Sequence, residues 1–417
     1  MVERQKNDSR KVLANVGHLF LAQGINYIFP LLTLPYLTYT LGINGFGVYA
    51  FAQVIVHYFQ VFTDYGFNLT ATRKLAATQD NENEIDSIFW SVLVVKIFLG
   101  LIATVVGSIL LAFFVSDKEI RWLYIYSFFA VWGSIFFPVW YFQGLESMKK
   151  IAWINLASKV SGVALLFILV RTKQDIAFAG LAQAMPSICS GILACLIIYK
   201  SRKISTIKIN LHEIKLELVE GRHIFFTSLL SSVLSSGGVF FLGIYHNSVI
   251  VGIYASSEKI VKAVVGLFSP ITQAIYPNNA RAFARSNFEG FRVVKSTGIY
   301  VILLAFFVAL FLWFIAPRIA LLLKWEDERH IYVIQFLTVW LFLGVVNNIF
   351  GVQILTAMGD GKIYSRLFIV ASILLVILMV ANVQKYDLSA VLGSMIIAEG
   401  LLTILLVAAV KRKRVKR

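Results

Sequence analysis

Charged residues are scarce in this sequence. Asp, Glu, Lys and Arg make up 14% of its 417 residues, whereas soluble globular domains contain about 25%. Hydrophobic residues make up 59%. This balance excludes an ordinary soluble protein and predicts a polytopic membrane protein. We expect it to be all-α, because a helix satisfies its own backbone hydrogen bonds in lipid.

Residue types that build metal, redox or catalytic sites are also few. The two cysteines, Cys189 and Cys195, lie in one apolar run, and their spacing matches no metal or redox motif. The six histidines are scattered without metal or triad spacing. No nucleotide-binding motif is present. We therefore expect no metal, no cofactor, no catalytic residue and no direct use of ATP.

Long polar segments are missing as well. All extramembrane segments are short, which argues against a membrane enzyme such as a polysaccharide polymerase or ligase, since those enzymes usually present a large external loop. The longest segment, residues 200–222, follows the sixth apolar run. It is the natural boundary between two lobes, which we place at residues 1–210 and 211–417.

Apolar runs long enough to cross a bilayer, about 20 residues each, occur twelve times. Six belong to each lobe. The predicted fold is therefore twelve transmembrane helices in two six-helix lobes around a central cavity. The runs lie at residues 14–41, 45–66, 87–115, 122–144, 152–170, 177–199, 223–245, 249–275, 296–323, 332–357, 367–383 and 389–410.

The basic residues predict the orientation. In a soluble protein a net charge of +16 would favour nucleic acid as a partner, but here the basic residues cluster between apolar runs and at the termini. Of the 38 Lys and Arg residues, 26 lie at the termini or after even-numbered runs. The positive-inside rule then places both termini in the cytoplasm. An even number of spans per lobe makes the two lobes parallel repeats.

A short motif repeats between the lobes. Gly47-Val48-Tyr49-Ala50 reappears as Gly252-Ile253-Tyr254-Ala255. Directly after the first copy, four polar side chains follow at i, i+4, i+7 and i+11, which places them on one face of a helix. They are Gln53, His57, Gln60 and Asp64. In lipid such a stripe must face protein or water, so it predicts a polar lumen or a packed polar seam.

The N-terminal region also carries a series of motifs. They are Gln23-Gly24-Ile25-Asn26-Tyr27, Pro30, Pro35-Tyr36-Leu37, Leu41-Gly42, Phe46-Gly47, Phe51-Ala52-Gln53, Asp64-Tyr65-Gly66-Phe67-Asn68 and Ala71-Thr72-Arg73. This series closely resembles the O-antigen repeat-unit flippases, the Wzx-type translocases of the multidrug, oligosaccharidyl-lipid and polysaccharide exporter superfamily. The remaining chain is similar in span number, in its lobe repeat and in the turn Gly144-Leu145-Glu146.

The resemblance implies a function. Flippases of this family are two-lobed carriers of the bacterial inner membrane, which move an undecaprenyl-pyrophosphate-linked oligosaccharide from the cytoplasmic to the periplasmic leaflet. Their partners would be membrane lipid, a repeat-unit polymerase and a chain-length regulator, with no nucleic acid. The main alternative is an ion-coupled multidrug antiporter of the same superfamily. That activity favours an acidic lumen, whereas deep lysines outnumber deep acids here.

Five ionisable residues lie near the predicted bilayer midplane and are candidates for function. Lys96 and Lys262 would contact the pyrophosphate or acidic sugars, because an ammonium is a point charge that can follow a moving phosphate. The alternative is a structural ion pair with Glu258 or Glu399. His57, Gln53 and Gln60 would line the same lumen, and Glu258 or Glu399 could couple transport to an ion.

Four charged residues are predicted at the cytoplasmic mouth. Arg73, Lys74 and Arg281 follow the second and eighth spans and could make the first contact with the pyrophosphate. The alternative, which the sequence favours, is ordinary positive-inside flanking charge. Asp64 lies near the same mouth and would pair with Arg73 or help to gate the cavity.

Overall fold

Helices form the described part of the structure. The structure is a computed structural model that describes residues 2–78, 81–201 and 211–415, with side chains over 29–78, 81–201 and 214–414. These residues contain α-helices, a short 3-10 helix and a π-helix, and no strand. The α-helices are α1 Val2–Asp64, α2 Phe67–Ala77, α3 Glu82–Phe114, α4 Lys118–Ile135, α5 Val139–Gly144, α6 Met148–Leu169, α7 Ile176–Ser201, α8 Leu211–Tyr245, α9 Ser248–Gly266, α10 Phe268–Arg285, α11 Asn287–Leu322, α12 Arg329–Asn348 and α13 Gly361–Val415. The 3-10 helix is Lys173–Asp175, and the π-helix Ile349–Thr356 follows α12.

Two long helices are broken by single non-helical residues. Gly42 interrupts α1 with φ 70° and ψ 168°, a conformation that glycine adopts because it lacks a Cβ. Asp387 interrupts α13 with φ 41°. Each break falls between two predicted spans, so the predicted span pairs 14–41 with 45–66 and 367–383 with 389–410 are each two helices that meet at a sharp kink.

The remaining predicted spans match the helices with two exceptions. The predicted fourth span, 122–144, is divided between α4 and α5. By length and composition, nine helical segments in the described residues can cross a membrane, and α1 and α13 each hold two predicted spans. The predicted eighth span, 249–275, is instead divided at Leu267 into α9 and α10. Pro270 lies near this division, and proline interrupts helical hydrogen bonding.

Capping residues define several helix starts. The side chains of Asn81, Asp117 and Asn247 accept hydrogen bonds from backbone N–H groups in the first turns of α3, α4 and α9. These bonds satisfy donors that have no partner within the helix. The described connections before α4 and α9, residues 115–117 and 246–247, are short, as the short polar segments predicted.

The chain divides into two compact units. One comprises Leu37–Phe240. Its core includes Phe67, Leu75, Trp140 and Phe142, all almost fully buried. The helices α4 and α7 approach closely at Gly133, where an added Cβ would lie 2.4 Å from the carbonyl carbon of Ser187. Small residues at such a crossing allow backbones to pack in a membrane.

The other unit comprises Phe241–Arg417 together with the N-terminal segment that ends at Tyr36. Its helix α9 is buried along an unbroken run from Ile250 to Glu258. The imidazole of His246 lies 2.6 Å from the carbonyl oxygen of Val383 and joins the end of α8 to α13. The predicted lobe boundary at residue 210 falls in residues 202–210, which lie outside the described residues, and it stays a prediction.

Candidate functional site

The predicted polar stripe lies on the second half of α1 and contacts α4 of its own unit. Gln53 Nε2 donates to Ser127 Oγ at 3.3 Å, and Gln60 Nε2 donates to the backbone oxygen of Ala130 at 3.1 Å. His57 is half-buried between them. The two amides therefore have a structural partner each, as the packed-seam alternative requires, and interhelical hydrogen bonds of this kind help to associate helices in lipid.

Asp64, at the end of the stripe, joins α1 to α3. Its Oδ1 lies 3.1 Å from Lys96 Nζ, and its Oδ2 accepts a hydrogen bond from Asn68 Nδ2 at 2.7 Å. Lys96 is only 3% exposed, whereas the Asp64 side chain is 31% exposed. The structure therefore gives Asp64 a different partner from Arg73. A buried ammonium requires such a partner, because an uncompensated buried charge is strongly destabilising.

A second charged cluster lies on α9 in the other unit. Tyr254 Oη donates to Glu258 Oε1 at 3.0 Å, and Lys262 Nζ lies 3.1 Å from Glu258 Oε2. The Glu258 side chain is 7% exposed and that of Lys262 is 33% exposed. Lys262 therefore has a structural partner, Glu258, and a side chain that is partly accessible. An ammonium has three donors, so this side chain can contact a second group without leaving Glu258. Lys96 has a structural partner, Asp64, but its side chain is not accessible.

Glu399 lies on α13 and is held by side chains that the sequence did not single out. Asn347 Nδ2 donates to Glu399 Oε2 at 2.5 Å, and Thr403 Oγ1 donates to Asn347 Oδ1 at 2.8 Å. Within the described residues, no Lys, Arg or His nitrogen lies within 4.0 Å of this carboxylate. The structural pairing of Lys96 or Lys262 with Glu399 is therefore absent from this part of the chain.

The predicted mouth residues on α2 contact α8. Lys74 Nζ lies 2.8 Å from Glu217 Oε1 and 3.4 Å from Glu220 Oε2, and Arg73 Nη2 lies 3.4 Å from the same Glu220 oxygen. The Glu217 side chain is 2% exposed. Arg281 is exposed and belongs to the other unit. The structure thus brings Arg73 and Lys74 together with two acids that sequence reasoning missed.

The repeated motif places one buried tyrosine in each unit. Tyr49 Oη donates to Gln183 Oε1 on α7 at 2.9 Å. Tyr254 Oη also lies 3.2 Å from Met395 Sδ on α13. Both tyrosines therefore join the helix that carries the motif to a later helix of the same unit. The repeated motif in the sequence could have indicated that these tyrosines join helices, because it occurs once in each unit.

A buried amide pair accompanies the π-helix. Asn279 Nδ2 donates to Gln353 Oε1 at 2.8 Å, and Gln353 Nε2 donates to the backbone oxygen of Thr272 at 3.0 Å. Asn279 and Gln353 are at most 1% exposed. π-Helical turns inside α-helices occur frequently at functional sites. No spacing in the sequence marked this pair, because Asn279 and Gln353 are 74 residues apart on different helices.

The turn between α11 and α12 is held by charge. Arg329 donates from Nε and Nη2 to Asp327, with a shortest N···O distance of 2.6 Å. These hydrogen bonds hold the pKa of the Asp327 carboxyl below its ordinary value. The ring of His330 stacks on Trp325 with centroids 4.3 Å apart. These contacts hold the turn that joins the end of α11 to the start of α12.

A protein-family model described as "Polysaccharide biosynthesis protein" matches residues 12–283, more than half of the chain. The chain belongs to this family. Two curated relatives carry the name "Putative O-antigen transporter". The protein from Escherichia coli (strain K12) is 32% identical over 366 residues, which cover 87% of this chain and 88% of the relative. The protein from Shigella dysenteriae is 29% identical, over 95% of this chain and 99% of the relative. The predicted membership of the O-antigen flippase family is thereby confirmed.

Solved structures of other transporters share the fold of this family member. A multidrug resistance MATE family transporter of the MOP superfamily, in an inward-facing conformation, aligns with a TM-score of 0.70 and 15% identity, over 93% of this chain and 94% of that chain. The lipid II flippase MurJ in an inward closed conformation aligns with a TM-score of 0.69 and 16% identity, over 94% and 87%. At these identities the likeness shows the fold alone. It confirms the predicted class, an all-α polytopic membrane protein with twelve helices in two lobes.

Proposed function

We propose that this protein flips undecaprenyl-pyrophosphate-linked O-antigen oligosaccharide units from the cytoplasmic to the periplasmic leaflet by alternating access. The observation that carries the proposal is the 32% identity, over most of both chains, to the Escherichia coli protein named as an O-antigen transporter. The chemistry agrees, because an anionic pyrophosphate and a polar glycan need a hydrated, cationic path while the polyprenyl tail stays in lipid. The proposed activity is transport without a catalytic step.

Lys262 is the proposed principal contact for the travelling pyrophosphate. Its side chain is one-third exposed, and its charge is compact and mobile. Lys96 contributes positive potential from a buried position beside Asp64. Gln53, His57 and Gln60, each half-buried, are the proposed lumen contacts for the glycan, with Gln53 and Gln60 also hydrogen-bonded to α4.

Arg73, Lys74 and Arg281 are the proposed first contacts at the cytoplasmic mouth. Guanidinium and ammonium groups bind phosphate oxygens through charge-assisted hydrogen bonds. Asp64 is the last residue of the stripe before Arg73, and its ion pair with Lys96 can connect the mouth to that lysine.

Glu399 is the proposed coupling residue, with Glu258 as the second candidate. A carboxylate within a membrane span is a functional candidate by default, because its charge is costly there. Glu399 is hydrogen-bonded by a neutral amide, whereas Glu258 already lies beside Lys262. A change in the charge of Glu399 would therefore alter its interactions with the surrounding helices more than the same change at Glu258.

The proposed setting is the bacterial inner membrane, with both termini in the cytoplasm and with lobes at residues 1–210 and 211–417. A repeat-unit polymerase and a chain-length regulator would use the flipped units on the periplasmic side. Membrane lipid surrounds the polyprenyl tail throughout.

Deletion of the gene in its native strain tests the proposal. We expect the lipopolysaccharide to lose its O-antigen ladder on a gel, the lipid-linked unit to accumulate, and a plasmid copy to restore the ladder. An intact ladder combined with reduced drug tolerance would instead support the multidrug antiporter.

A further inference from the structure

The start of α8 is bound to α2 by a cluster of two cations and two anions. Lys74 bridges Glu217 and Glu220, and Arg73 lies beside Glu220. Glu217 is almost fully buried, whereas Arg73 is 77% exposed and Lys74 is 24% exposed. The cluster therefore has one buried member, Glu217, while Arg73 and, at 37% exposure, Glu220 reach the surface of the protein.

Aromatic and glycine contacts extend this attachment along α8. The rings of Tyr65 and Phe225 stack with centroids 4.9 Å apart. An added Cβ at Gly66 would lie 2.6 Å from Ile224 Cγ2, and one at Gly221 would lie 2.9 Å from the backbone oxygen of Tyr65. The first part of α8 is consequently seated on the turn between α1 and α2, within the unit Leu37–Phe240.

We infer that Glu217 and Glu220 occupy Arg73 and Lys74 when no substrate is bound, and that a lipid-linked diphosphate displaces both carboxylates and releases the start of α8. This inference rests on the proposed function, because it takes Arg73 and Lys74 as diphosphate contacts. It adds a conformational change, the release of the start of α8. This helix directly follows the segment between the two predicted lobes.

Electrostatics make the two arrangements compete. A diphosphate competes for the same donors as the carboxylates. If Lys74 turned to a phosphate, Glu217 would be left as a buried carboxylate beside a second anion, which is strongly unfavourable. Moving the first turns of α8 brings Glu217 to water and removes that cost. Diphosphate binding and the seated α8 are therefore coupled, and each weakens the other.

Affinity for a simple diphosphate tests the competition. Geranylgeranyl diphosphate would be titrated against the full-length protein in lipid nanodiscs, with geranylgeraniol as the phosphate-free probe. We expect the double variant Glu217→Gln with Glu220→Gln to bind the diphosphate at least about fivefold more tightly than the parent, the lower range of typical coupling. Glu289→Gln, which removes a solvent-exposed ion pair with Arg285, is the matched control and should leave the affinity unchanged.

A distance measurement on the parent cluster tests the release itself. Spin labels would be attached at Ala76 on α2 and Val219 on α8, both exposed, after Cys189→Ser and Cys195→Ser. We expect the diphosphate to lengthen the distance between the labels and geranylgeraniol to leave it unchanged.

Two results would overturn the inference. The first is diphosphate binding with a fixed label distance and no gain in the double variant. The second is no diphosphate binding by any form. In either case restored O-antigen export by the plasmid copy would leave the flippase function standing, whereas failure of export would count against the function itself.

Discussion

Lys262 is the residue where a structural and a transport role can be separated most directly. If it contacts the pyrophosphate, Lys262→Arg should retain part of the export, Lys262→Ala should lose most of it, and Lys262→Glu should lose it. The reason is that arginine keeps the positive charge with a different donor geometry. O-antigen ladders and immunoblots of the same membranes would measure export and abundance together.

The partner of Lys262 supplies the control. Removing Lys262 alone leaves Glu258 as a buried carboxylate, which costs about 3–5 kcal/mol in a fully buried pair and less here because the Lys262 side chain is one-third exposed. Glu258→Ala together with Lys262→Ala removes that cost. The substrate-contact role requires this double variant to reach normal abundance and still fail to export. Parental export by the double variant would reduce Lys262 to a structural partner.

Lys262 and Lys96 should also differ in access. A cysteine at position 262 should react with a membrane-impermeant thiol reagent, because this side chain is 33% exposed. A cysteine at position 96 should react far more slowly, because Lys96 is 3% exposed. Reaction rates would be compared in the Cys189→Ser and Cys195→Ser background. Equal rates at the two positions would contradict the burial that separates them.

Sequence reasoning identified the ionisable residues but could not assign their partners. The pair Glu258 and Lys262 was open to prediction, because residues at i and i+4 on a helix are neighbours. Lys96 and Asp64 are 32 residues apart on different helices, and only the packing of α3 on α1 brings them together. Asn347 escaped notice for the same reason, since its partners Glu399 and Thr403 lie on another helix.

At the scale of helices, the crossing of α4 and α7 depends on glycine. Gly133→Ala would place a Cβ 2.4 Å from the backbone of Ser187, and we expect this overpacking to cost about 1–3 kcal/mol. The purified variant should unfold at a lower temperature than the parent.

A second glycine provides a matched change. An added Cβ at Gly393 on α13 meets no atom within 4 Å, and alanine is favoured over glycine in a helix by about 0.5–1 kcal/mol. Gly393→Ala should therefore leave the unfolding temperature unchanged or raise it. Equal losses in the two variants would show that the α4–α7 crossing is not the cause.

The helices also show where sequence patterns stop being informative. The length of an apolar run predicted the spans, because every residue within the bilayer adds to that length. It could not predict that the first two spans would meet directly at a kink through Gly42, or that the eighth would be divided at Leu267. Both outcomes depend on single backbone conformations rather than on the average hydrophobicity of a run.

At the scale of the whole molecule, the count of spans and the distribution of charge support one another. The family's fold has twelve helices in two lobes, and an even number returns the C-terminus to the side of the N-terminus. The Lys and Arg bias then selects which side that is. The two arguments are independent, since the first uses hydrophobic length and the second uses only the polar segments between spans.

Reporter fusions test this orientation. Fusions after Lys203 and after Lys413 should both report the cytoplasm, because an even number of spans precedes each position. Fusions after Lys173 and after Lys385 follow an odd number of predicted spans and should report the periplasm, which controls for reporters that fail to fold. A periplasmic signal after Lys203 would require an odd number of spans in the first lobe and would remove the parallel repeat. A periplasmic signal after Lys413 alone would place the error in the second lobe, where α9 and α10 replace one predicted span.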